Sequence, residues 1–83
     1  VNYEVELTLE AVEDVLRITI ASGSKTQVVN ASKQILEALR FDPADAGEHL
    51  SEGLYFIDRE PLRAFFTIDD TDMLVEIVNV KRL

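Results

Sequence analysis

Residues 54–82, LYFIDREPLRAFFTIDDTDMLVEIVNVKR, decide how this chain folds. Two polar clusters, Asp58-Arg59-Glu60-Pro61 and Asp69-Asp70-Thr71-Asp72, divide the stretch into three segments rich in aromatic and β-branched residues. Asp and Pro are turn formers, and segments of that composition between turns are strands. The reading is an antiparallel meander of strands over 54–57, 62–68 and 73–81. Folding at Asp70-Thr71 sets Ile68 opposite Met73, Phe66 opposite Val75, Ala64 opposite Ile77 and Leu62 opposite Asn79. Folding at Arg59-Glu60 sets Ile57 opposite Leu62, Phe56 opposite Arg63 and Leu54 opposite Phe65. Side chains alternate across a strand, so one face is almost wholly apolar and needs a cover. The other face carries Leu54, Phe56, Asp58, Arg63, Phe65 and Thr67, with Leu74, Glu76, Val78, Val80 and Arg82 from the last strand. A one-residue slip in either hairpin exchanges the faces.

Upstream lies the cover. Val1, Tyr3, Val5 and Leu7 alternate with Asn2, Glu4 and Glu6, the period of a half-buried strand. If its apolar side packs beneath the helices, Glu4 and Glu6 join the open face. Thr8 has the chemistry of a helix N-cap, and Glu10, Glu13 and Asp14 suit the positive end of the macrodipole. Leu9, Val12, Val15 and Leu16, then Ile18 or Ile20, form the expected inward stripe. The β-branched run Ile18-Thr19-Ile20 also admits a strand there. After the turn Ser22-Gly23-Ser24, Ser24 and Gln27 match a capping box, which starts a second helix at Lys25. Val28, Ala31, Ile35, Ala38 and Leu39 line its inner face, and Asp42-Pro43 ends it. The polar stretch 43–53, with two of the three glycines, reads as the longest loop. The chain is thus α+β: an N-terminal strand, a two-helix hairpin and a three-stranded meander in one sheet, β-α-α-β-β-β. Both helices are used on one face, so the apolar members of the other form an exposed patch of the kind that binds proteins.

Composition narrows the function classes. Eighty-three residues, 47% of them hydrophobic, make one domain with a packed core. No apolar run reaches the ~20 residues of a membrane helix. The start VNYEVEL has no basic n-region, so it does not read as a signal peptide, and a cytoplasmic location is expected. The absence of cysteine removes disulfides, thiolate metal sites and a Cys nucleophile together. Sixteen acidic side chains against 8 basic ones leave a charge of −8, a field that opposes nucleic acid and attracts a basic partner peptide. His49, the single histidine, lies in the polar stretch, and no Ser-His-Asp arrangement or phosphate-cradling glycine loop accompanies it. Asp69, Asp70 and Asp72 lack the central Gly and distal Glu of a calcium loop. Neither a metal nor a cofactor is expected.

Four stretches carry a resemblance: YEVELTLEAVEDV (3–15), LEALRFDP (36–43), LRAFFTIDDTD (62–72) and LVEIVNVKRL (74–83). In order and spacing they resemble the RelE/ParE superfamily of toxin-like proteins over nearly the whole chain. The segment GEHLSEGLYFIDREPLRAFF (47–66) looks closest to its short, divergent members. The resemblance implies one RelE/ParE-like domain over 1–83. It also implies a role in a bacterial type II toxin–antitoxin module of the plasmid-stabilisation kind, with an antitoxin protein as partner. In the family, ribosome-dependent mRNA cleavage uses basic side chains on the open sheet face, often with a C-terminal aromatic. Arg63 matches the family arginine in the strand reading LRAFF, and Lys81 and Arg82 match the basic pair near the end of the last strand. Arg63 and Arg82 are therefore the implied catalytic pair, both expected on the open face. Phe56 and Asp58 stand where active toxins place Lys or Arg, and no Tyr or His follows Leu83. The expectation is a toxin-like protein weak or inactive as a ribonuclease, binding a partner through Leu54, Phe56, Phe65, Leu74, Val78 and Val80. Gyrase poisoning, the ParE activity, rests on protein contacts and is compatible with this. Two alternatives stand beside it: a RelE-type mRNA endoribonuclease acting at the ribosome, and a homodimer that kept the fold without the toxin role.

Overall fold

A computed structural model describes residues 2–83. Val1, expected on the inner side of the first strand, lies outside the described residues. The elements run β1 (Glu4–Leu7), α1 (Leu9–Ser22), α2 (Lys25–Phe41), α3 (Pro43–Ala46), β2 (Glu48–Ser51), β3 (Leu54–Arg59), β4 (Leu62–Asp69) and β5 (Leu74–Arg82). They form one five-stranded sheet in the order β1-β5-β4-β3-β2, with β1 parallel to β5 and the other pairs antiparallel. The α+β reading holds. The core lies between the sheet and the α1–α2 hairpin, built on Phe66, Leu62, Val75, Val28 and Leu39.

Local chemistry sets the element ends. Thr8 is the N-cap of α1: its hydroxyl accepts from the Ala11 N–H at 3.1 Å and donates to the Val78 carbonyl, also at 3.1 Å. Gly23, with φ 71°, closes α1 in the left-handed conformation that glycine adopts without a Cβ penalty. The helix runs unbroken through Ile18-Thr19-Ile20, so the strand alternative fails there. Its phase also differs from expectation. Val15 packs on the core and Ile18 is buried, as expected, but Ala11 and Asp14 join them inside, while Leu9 (75%), Leu16 (58%) and Ile20 (83%) are exposed and Val12 is only partly covered. Rotating α1 to bury that leucine stripe would withdraw Asp14 from β5, where its carboxylate accepts the buried Val80 N–H at 3.0 Å. An orphaned buried amide is costly, and this contact fixes the phase. Helix α2 starts at Lys25 as expected, although the Ser24 side chain makes no capping bond.

The stretch expected as a loop contains α3 and β2. Asp42 caps α3 by accepting from the Asp45 N–H at 3.3 Å, with Pro43 at a first-turn position where its missing N–H costs nothing. Gly47 then passes hard against the sheet: a Cβ there would lie 2.6 Å from Phe66 Cζ and 2.8 Å from the Phe56 carbonyl oxygen. This close approach brings β2 alongside β3, with His49 paired to Tyr55. The His49 ring meets Tyr55 edge-on at 5.2 Å, and Tyr55 stacks on Phe66 at 5.6 Å.

Both hairpins are longer-registered than the simple folding points imply. Ile57 pairs with Ala64 and Phe56 with Phe65; Ile68 pairs with Val75 and Phe66 with Ile77. Each shift is two residues, so the faces are unchanged. Between Phe65 and Phe66 the β4–β5 register slips: Phe65 faces Asn79, Ala64 faces Val80 and Leu62 faces Arg82. A bulge inserts one extra β5 residue there and exchanges the faces of everything beyond it.

Candidate functional site

The bare face of the sheet is assembled from all five strands, with Glu48 of β2 at its edge opposite Phe56. β3 contributes Leu54, Phe56 and Asp58; β4 contributes Arg63, Phe65 and Thr67. β5 contributes Leu74 and Glu76, followed by Val78 and Asn79 at the bulge and then Lys81. β1 adds Glu4 and Glu6, in register with Leu74 and Glu76. Phe56 and Phe65 lie opposite each other, ring centroids 6.4 Å apart. Leu54, Phe65, Val78, Asn79 and Lys81 line a shallow depression of about 140 Å³. Leu54, Phe56, Phe65, Leu74 and Val78 therefore share one surface, each half-buried.

Two expected members are elsewhere. Val80 is 5% exposed in the core beneath the helices, opposite Ala64. Arg82 is opposite Leu62, on the helix side of the sheet and not beside Arg63. The β5 bulge displaces both residues, because strict alternation after Val78 no longer applies. Lys81 takes the place expected of Arg82: it is the cross-strand partner of Arg63, and its Nζ stands 5.6 Å over the Phe65 ring.

The bulge is held from behind. Asp14 Oδ2 accepts from the Val80 N–H at 3.0 Å and from Asn79 Nδ2 at 3.5 Å, and Oδ1 accepts from Arg17 Nη1 at 3.0 Å. The Val80 amide, ahead of the Arg17 and Asn79 donors, pulls the Asp14 carboxyl below its ordinary range against the opposing effect of burial. Asp14 was read from the sequence only as a dipole partner. Its role as the acceptor for a displaced strand amide depends on a bulge that helix periodicity does not reveal.

Arg63 is paired along one edge of its guanidinium. Its Nε and Nη2 donate to the two oxygens of Asp58 at 2.7 and 2.8 Å, a bidentate fork, and the guanidinium carbon sits 4.5 Å over the Phe56 ring. The hydrogen bonds from Arg63 hold the Asp58 carboxyl below its ordinary range, and the same contact raises the guanidinium further. On that edge a phosphate would have to displace a carboxylate already matched to the fork. Cleavage through an RNA 2′-hydroxyl needs a proton acceptor, a proton donor and unpaired cationic charge for the developing phosphorane. Among the described residues this face offers Lys81 as its cation without an ion pair, amid carboxylates that oppose phosphate. Its chemistry suits association through aromatic and apolar contacts with a charged rim.

No protein-family model and no curated protein matches the chain in sequence. Solved structures match it in three dimensions. A chain of the RelBE2 toxin–antitoxin complex from Mycobacterium tuberculosis superposes with a TM-score of 0.84 at 22% identity, covering 100% of this chain and 93% of that one. A chain of the chromosomal ParDE system from P. aeruginosa gives 0.69 at 16% identity, with coverages of 98% and 96%. The isolated E. coli RelE toxin gives 0.72 at 16% identity, with coverages of 96% and 83%.

Proposed function

We propose that this chain, which has the RelE/ParE toxin fold, is the toxin-like member of a bacterial type II toxin–antitoxin module and binds its antitoxin through the bare face of the sheet. On this reading residues 1–83 are one RelE/ParE-like domain acting in the cytoplasm; no helix among the described residues is long and apolar enough to cross a membrane. Support for a binding role comes above all from the state of Arg63. The arginine that the family resemblance assigns to catalysis is locked on Asp58 and packed over Phe56, so it organises an aromatic surface in place of a phosphate site. Catalysis of RNA cleavage is accordingly weak or absent. The endoribonuclease alternative is favoured by one feature, the Arg63–Lys81 cross-strand pair, and opposed by the carboxylates around it.

Co-expression with the product of any small open reading frame found adjacent to this gene tests the reading. The expected result is a stoichiometric complex that Phe65→Glu disrupts, and no mRNA cleavage by the purified protein on translating ribosomes. Ribosome-dependent cleavage lost in Arg63→Ala would contradict it and establish the enzyme.

A further inference from the structure

The open face has an unbalanced charge pattern that the fold does not need. Among the described residues six carboxylates border it, Glu4, Glu6, Glu48, Asp58, Asp69 and Glu76, against the two cations Arg63 and Lys81. Glu6 and Glu76 lie directly across the parallel β1–β5 pair, and both are exposed. Like charges opposite each other destabilise a sheet. The ion pairs formed among the described residues, Arg17–Asp14 and Arg63–Asp58, involve neither of them. Beside this uncompensated pair, β3, β4 and β5 present the depression whose apolar walls are Leu54, Phe65 and Val78, with Asn79 and Lys81 completing its lining. Apolar contact and negative rim are thus contiguous on one surface of a chain whose charge is −8.

We infer that the occupant of this face is a basic amphipathic segment of a protein partner. Its apolar side chains fill the Leu54–Phe65–Val78 depression, and its Lys or Arg side chains pair with Glu6 and Glu76. The inference rests on the protein-docking reading above and adds the chemistry of the partner. Charge complementarity of this kind sets partner choice and association rate. It also excludes the polyanionic occupant, RNA, for the same reason.

Three labelled probes test it by fluorescence anisotropy: a 12-residue peptide alternating Leu and Lys, its counterpart alternating Leu and Glu, and a 12-nucleotide single-stranded RNA. The Leu/Lys peptide binds at least about tenfold tighter than the other two, and more weakly as salt rises. The double substitution Glu6→Gln/Glu76→Gln costs it about tenfold in affinity. Glu10→Gln/Glu13→Gln, the same change in net charge on exposed positions of α1, leaves affinity within about twofold. Relief of the cross-strand repulsion makes Glu6→Gln raise the melting temperature of the free protein by about 1–5 °C. Equal binding of the two peptides, preferred binding of RNA, equal effects of the two double substitutions, or no rise in melting temperature overturns the inference. Phe65→Ser and Leu54→Ser, checked for folding by circular dichroism, separate the two levels. If they weaken peptide binding while the charge substitutions do not, this inference alone fails. If they leave peptide binding unchanged, the protein-docking reading fails with it.

Discussion

Replacing Asp14 by alanine removes the acceptor that holds the β5 bulge. Asp14 is 9% exposed, and its carboxylate receives the buried Val80 N–H at 3.0 Å. A hydrogen bond from a buried amide to a charged acceptor contributes about 1.5–3 kcal/mol, and the orphaned N–H falls in the same range. The Arg17 contact adds little, since that side chain is 69% exposed. Alanine recovers about 0.5 kcal/mol of helix propensity. The net loss is about 1–3 kcal/mol, against a total stability on the order of 4–12 kcal/mol for a chain of this length. Asp14→Asn keeps an oxygen facing Val80 and loses about 1 kcal/mol. Urea unfolding followed by circular dichroism measures both. The Asp14 carboxyl titrates lower in the folded state, so its contribution is complete above the ordinary carboxylate range near pH 4 and is lost as pH falls through the folded-state value. The wild type and Asp14→Asn therefore differ by a constant amount between about pH 5 and 7 and converge in acid. A loss under about 0.5 kcal/mol for Asp14→Ala at pH 7, or a difference from Asp14→Asn that persists unchanged into strong acid, would refute the anchoring role.

Gly47→Ala forces a methyl into Phe66 and the Phe56 carbonyl, and should cost about 1–3 kcal/mol in chemical denaturation, with loss of β2 protection in hydrogen exchange. The phase of α1 separates two neighbouring apolar positions. Ile18→Ala, at a core site 9% exposed, loses about 2–4 kcal/mol, whereas Leu16→Gln, at a site 58% exposed, changes stability by about 0.5 kcal/mol or less in the same assay.

Much of this architecture was legible because its signals are local. The alternation in YEVEL, the cap at Thr8, the start at Lys25 and the stop at Asp42-Pro43 each act within a turn or two of chain. The meander was legible from its two polar turns, and the two-residue errors in register were harmless because side chains repeat with the same period. Leu54, Phe56, Arg63, Phe65, Leu74 and Val78 consequently share the face read for them. The odd-numbered shift at the bulge was not harmless, and it displaced Val80 and Arg82. A warning was present: unbroken alternation from Val75 would have put Asn79 and Lys81 under the helices, which a bulge avoids. β2 gave no warning, since it is a short edge strand with all four residues exposed and so carries no inside–outside pattern. Of the α1 stripe, Val15 and Ile18 pack inward as read but Leu9, Val12, Leu16 and Ile20 do not, because a buried carboxylate and not a leucine determines which side of that helix meets the sheet.

The most direct test of the account is an NMR footprint of the chain bound to the antitoxin proposed as its partner. Side-chain shifts concentrated on Leu54, Phe56, Phe65, Leu74 and Val78, with the core methyls of Val80 and Ile18 little changed, are the predicted result. A footprint confined to α1 and α2, leaving the β3–β5 face as in the free protein, would contradict it.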